Sequence, residues 1–251
     1  MKKTALLAVA LATCLGYAPA RAADVVSSNV VGYKKVTLAA DNYTLLAPMF
    51  TCVGGGDKAI PDLFAEDDFV ASDTASDADF IELWEDGAYS RKFFFSSDAD
   101  NAWSSDQDGY DETDETIDGK LGFWFYNRDT DDKEVTLAGE VPTEDVEVVI
   151  AGDNYTLIGN PFAAPLPIKS IVAVSGAFTA SDTASDADFI ELWEDGGYSR
   201  KYFFSSDAGD AWSSDQDGYD ETDDTIPAGL GFWFYRQGSE MTVKLPVPYS
   251  L

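Results

Sequence analysis

Apolar and polar residues alternate with a period of two through most of this chain, in short runs broken by Gly, Asp, Ser and Asn. "VGYKKVTL" (residues 31–38) leads into "YTLLAP" (43–48). "DFIELWE" (79–85) sets Phe80, Glu82 and Trp84 on one face of a strand and Ile81 and Leu83 on the other. "YSRKFFFS" (89–96) follows after a turn at Glu85-Asp86-Gly87. "LGFWFY" (121–126) is apolar on both faces, which suits a central strand, and "KEVTLAGEV" (133–141) closes the set. Only "AIPDLF" (59–64) suggests a short helical turn. The pattern predicts an all-β fold.

The pattern then repeats. Residues 69–126 align with 178–235 at a constant offset of 109, with 49 of 58 positions identical. Upstream, "DNYTLLAPMF" from Asp41 matches "DNYTLIGNPF" from Asp153 at an offset of 112. The mature chain is expected to hold two β-domains of about 110 residues, residues 23–141 and 142–251. Six or so short strands per unit point to a tandem β-sandwich, or a partly closed barrel. The joint near Val141-Pro142 has no Gly/Ser tract, so the units should pack together.

Charge and the termini change the picture next. Residues 1–22 form a three-part export signal: Lys2 and Lys3, an apolar stretch over 4–18, and the small-x-small site Ala20-Arg21-Ala22. That stretch is too short to span hydrocarbon, which takes about 20 residues. Cleavage leaves 13 basic residues against 46 acidic ones, a net charge of −33. Such a surface repels nucleic acid and anionic lipid and suits a saline or calcium-rich exterior. No further stretch reads as a membrane span, so the product is expected outside the cell, on its surface or in the periplasm. Apolar residues make up 45% of the chain and aromatic ones 14%, ample for a core. There is no histidine, and Cys52 alone survives cleavage, which removes Ser-His and Cys-His chemistry and any internal disulfide.

Certain motifs carry a resemblance. "SNVVGY" (28–33), "NYTLLAP" and "NYTLIGNPF", "LWEDGAY" and "LWEDGGY", and "GFWFY" followed by "VTLAGEV" resemble a family of uncharacterised exported all-β bacterial proteins of verrucomicrobium-like lineages. The resemblance spans essentially the whole mature chain. It implies an all-β exported module and brings no assigned activity.

The candidate chemistry sits in two acidic segments, "WSSDQDGYDETDET" (103–116) and "WSSDQDGYDETDDT" (212–225). Calcium takes several oxygen ligands on a tight turn, with Gly at the sixth position of a twelve-residue loop. Placing Gly109 there offers Asp106, Asp108, the Tyr110 carbonyl, Glu112 and Glu115. The second copy offers Asp215, Asp217, Tyr219, Glu221 and Asp224. Ser104 and Ser213 stand where an EF-hand begins with Asp, and no flanking helices are predicted, so the alternatives are a looser calcium loop or a solvated acidic one. Nearby Asp73, Asp77 and Asp79, with Asp182, Asp186 and Asp188, offer further carboxylates. No cofactor is required by this reading, and calcium is the one candidate.

These features favour an exported, non-catalytic structural or adhesive module, with an extracellular polysaccharide or an envelope protein as partner. A carbohydrate-binding module is the alternative, stacking sugars on Trp103 with Tyr110 and on Trp212 with Tyr219. An acid-catalysed hydrolase comes third, since glycosidase chemistry needs two carboxylates at a fixed separation.

Overall fold

The computed structural model describes residues 30–52, 55–64, 69–85, 87–96, 101–105, 115–194, 196–206, 209–214 and 222–250. Among the described residues nine strands make the first unit: β1 (Val31–Leu38), β2 (Asn42–Leu46), β3 (Lys58–Ala59), β4 (Phe80–Glu85), β5 (Ala88–Ser96), β6 (Asn101–Ser104), β7 (Thr116–Ile117), β8 (Phe123–Asn127) and β9 (Lys133–Glu140). Ten described strands make the second. They are β10 (Val146–Ile150), β11 (Asn154–Gly159), β12 (Leu166–Pro167), β13 (Val172–Ser175) and β14 (Phe189–Glu194), then β15 (Gly197–Ser206), β16 (Gly209–Ser213), β17 (Thr225–Ile226), β18 (Gly231–Arg236) and β19 (Met241–Leu245). "AIPDLF" contains a 3₁₀ turn at Ile60–Asp62, as its sequence suggests.

Each unit builds a five-stranded antiparallel sheet, in the order β2-β8-β4-β5-β6 and β11-β18-β14-β15-β16. The "GFWFY" strands β8 and β18 lie inside those sheets, paired on both edges. A ribbon of β1 and β9 covers the first sheet, and β10-β19-β13 covers the second. Among the described residues none of the sheets closes into a barrel, so the sandwich is the architecture adopted.

The period of two explains the layers. Ile81, Leu83, Phe123 and Phe125 project from one face of the first sheet onto Val36, Leu38, Val135 and Leu137 of its ribbon. Ile190, Leu192, Phe232 and Phe234 repeat this against Val148, Ile150, Val243 and Leu245. Both cores are sealed by side chains that the alternation turns inward. A buried apolar side chain of this size contributes roughly 1.5–3 kcal/mol.

The opposite faces of the two sheets meet each other. Leu45 and Trp124 of the first unit pack with Leu157 and Trp233 of the second. Trp84 stands edge-on to Trp233 at 5.3 Å between ring centroids, and Trp193 to Trp124 at 5.6 Å. These two contacts are the same pair of repeat positions taken in opposite order, so the seam is reciprocal, like the interface of a two-fold dimer.

Backbone contacts repeat the reciprocity. Leu46 bridges to Leu230, and Leu121 to Ile158. Ala47 donates its N–H to the Gly229 carbonyl and Gly159 to that of Lys120, each at 2.9 Å. The glycine that opens each "GFWFY" permits this approach. A Cβ on Gly122 would lie 2.9 Å from the Ile158 carbonyl oxygen, and one on Gly231 would lie 2.9 Å from that of Leu46.

Candidate functional site

The chain enters each acidic segment from an edge strand and leaves it beside the core. In β6, Trp103 pairs across from Phe94, and that register turns its ring to the inner face. It lies 5.2 Å from the Phe94 ring and 5.7 Å from that of Phe69. Trp212 pairs with Phe203 and packs on Phe178 and Phe234 in the same way. Their relative exposures are 1% and 3%. The loop platform expected of Trp103 and Trp212 is therefore corrected: both rings are core side chains and offer no face to a sugar. The error arose because a strand of four or five residues is too short for its alternation to stand out beside an acidic run.

Downstream, Glu115 and Asp224 are each met by a lysine. Lys92 of β5 and Lys201 of β15 project from the inner faces of their sheets, with side chains only 8% exposed, and each reaches its carboxylate at 2.5 Å. The two repeats differ here, Glu against Asp, and keep the pair. The hydrogen bond from Lys201 holds the Asp224 carboxyl below the usual carboxylate range, helped by the Thr222 and Ser214 hydroxyls. Glu85 is pushed the other way, first by burial and then by the neighbouring Glu115. The last ligand position of each hypothetical calcium loop is thus engaged by an internal cation. Asp106, Asp108, Tyr110, Glu112, Asp215, Asp217, Tyr219 and Glu221 lie outside the described residues. Among the described residues no group of three or more His, Cys, Asp or Glu is arranged to hold a metal.

The second set of carboxylates divides sharply. Asp73 and Asp77 are exposed and accept hydrogen bonds from Thr74 and Ser76. Asp79 is fully buried. It accepts the N–H groups of Val70 at 2.8 Å and Arg128 at 2.6 Å, and Lys133 approaches it at 3.2 Å. Asp188 likewise accepts from the Thr179 and Gln237 N–H groups, but its cation is Arg236 at 2.6 Å. A buried carboxylate satisfied by two backbone donors and one cation is a structural anchor. It ties the loop before β4 or β14 to the end of β8 or β18.

Among the described residues, two further exposed aromatic side chains lie along the seam. Tyr89 and Tyr198 are repeat equivalents, 46% and 50% exposed. Each packs edge-on against the tryptophan of its own hairpin, Trp84 at 5.0 Å and Trp193 at 4.9 Å. Partial burial pushes both phenols up from their ordinary value. Trp84 and Trp193 are half-buried beside them. The repeated "LWEDG" hairpins contain all four rings, and the signal for them was there: a strand whose second face also carries aromatics needs a second partner.

Compared with family models, with curated proteins and with solved structures, the chain matches none.

Proposed function

We propose that the protein is an exported, non-catalytic structural or adhesive module of the cell envelope, matrix or medium, whose two acidic loops take up calcium. The observation that carries this reading is the way each loop is mounted. A core tryptophan precedes it, a buried lysine grips the carboxylate at its far end, and the reciprocal seam joins the two mounts into one body. Asp79 and Asp188 inside the fold are matched to internal cations, whereas no basic residue interrupts the carboxylates from Asp106 to Asp114 or from Asp215 to Asp223 in the sequence. The leader-like start and the charge of −33 after its removal support an exterior setting, as does the resemblance to exported all-β proteins.

The test is the melting temperature in calcium chloride against sodium chloride at equal ionic strength. It is repeated with Asp106, Asp108, Asp215 and Asp217 changed to Asn. A calcium-specific rise, equivalent to about 2.7 kcal/mol at a hundredfold excess over Kd, that the Asn variant loses is the expected result. Equal rises in both salts would reduce the loops to solvated acidic surface.

A further inference from the structure

We propose that the rim of the seam is a binding platform for an uncharged glycan, formed by Tyr89 and Trp84 of the first unit and Trp193 and Tyr198 of the second. The rings form two reciprocal runs of three. Tyr89 packs edge-on against Trp84, and Trp84 against Trp233 across the seam. Tyr198 packs edge-on against Trp193, and Trp193 against Trp124. These two runs hold both exposed tyrosines against packed tryptophans before any ligand arrives, so little side-chain entropy remains to be lost on binding.

The chemistry at the rim selects the ligand. A tyrosine ring offers a flat face to sugar C–H groups together with a polar edge. Each phenolic O–H can donate to a sugar hydroxyl and its oxygen can accept from one. Arg91 and Arg200 are engaged by Glu82 and Glu191 and lie over the Phe80 and Phe189 rings, so neither is a free cation for an anionic polymer. The net charge of the whole chain repels such polymers too. Duplication supplies the same tyrosine twice about one pseudo-two-fold axis, which suits a ligand that itself repeats.

The inference rests on the adhesive reading only for where such a ligand is met, and it makes no use of the acidic loops. Affinity electrophoresis of the full mature chain, in EDTA, through gels containing hydroxyethylcellulose or galactomannan gives the test, with polygalacturonate as the anionic comparison. Retardation by a neutral polymer and none by the anionic one is expected. Tyr89→Ala with Tyr198→Ala should weaken it roughly tenfold or more, since each aromatic contact contributes about 0.5–1.5 kcal/mol. Tyr89→Phe with Tyr198→Phe keeps the packing and should lose part of the retardation. Tyr33→Ala, at a tyrosine 79% exposed on β1, should lose none. A wild-type chain unretarded by both neutral polymers would overturn the platform, as would an Ala double variant that folds and is retarded like wild type. Either result would leave calcium-dependent stabilisation standing as a separate matter.

Discussion

The two units solve one problem with different residues, and the buried aspartate shows it best. Asp79 and Asp188 occupy equivalent places and accept equivalent backbone N–H groups. In the first unit the cation comes from the start of β9, as Lys133. In the second it comes from the end of β18, as Arg236. The positions left vacant are filled accordingly: Asn127 stands where Arg236 does, donating to the Leu38 and Asp131 carbonyls, and buried Met241 stands where Lys133 does. An uncompensated buried charge costs several kcal/mol, whereas the identity of its partner matters far less. What the fold requires is a cation at a point in space. The same logic lets Lys92 and Lys201 accept Glu in one unit and Asp in the other.

Elsewhere the units diverge without such compensation. The second has Asn160, whose side chain donates to the Ala164, Ile226 and Pro227 carbonyls and accepts from the Phe162 N–H. The first has Pro48 there, and the turn passes through Met49 at a φ of 58° instead. Lys58, buried in the first unit with its ammonium on the Ala138 carbonyl, gives way to Leu166 in the second. Burial lowers the Lys58 pKa.

The largest expected effect asks whether the units are equal where they look equal. Trp103→Ala and Trp212→Ala should each cost about 3–5 kcal/mol, in chemical unfolding followed by circular dichroism. A loss below about 1 kcal/mol in either would return that ring to the surface.

Next comes the relocated cation. Lys133→Met should cost about 3 kcal/mol by leaving Asp79 unpaired. Adding Asn127→Arg, which rebuilds the arrangement of the second unit, should recover part of that loss. A free-energy cycle in which the second change makes matters worse would show that the two positions are not interchangeable.

The smallest effects are electrostatic and depend on pH. Because the folded state holds Asp224 below its unfolded pKa, its pairing with Lys201 stabilises above the ordinary carboxylate range near ~3.9 and is lost as pH falls through the lowered value. Lys201→Met should therefore lower the melting temperature at pH 7, and the gap should narrow on acidification. Glu85 has the opposite sign. Its raised pKa means that stability falls as pH rises through it, so Glu85→Gln should raise the melting temperature slightly at pH 7 and change little in acid. Partial exposure limits each to about 1 kcal/mol or less.

Much of the scaffold was legible because alternation is local. The residues of β1, β4, β5, β8 and β9 can be read from period and punctuation, and the double-faced apolar pattern of "LGFWFY" marks a strand buried on both sides. The partner on the second face was not legible. Trp84 and Trp233 are brought together by the packing of two sheets, and no local period encodes that. The clamp on the acidic segment was hidden for a related reason: Lys92 lies a whole hairpin away from Glu115, so the segment reads as free of basic neighbours. Trp103 was misplaced because the residues beside it are acidic, while its own environment is set by Phe94 across the sheet.

All of this rests on the two units forming one body through the seam. Differential scanning calorimetry of the mature chain tests that most directly. A single transition is predicted, with calorimetric and van't Hoff enthalpies in agreement, splitting or broadening once Gly122→Ala and Gly231→Ala push the sheets apart. Two independent transitions in the unaltered chain, each insensitive to those glycines, would contradict it.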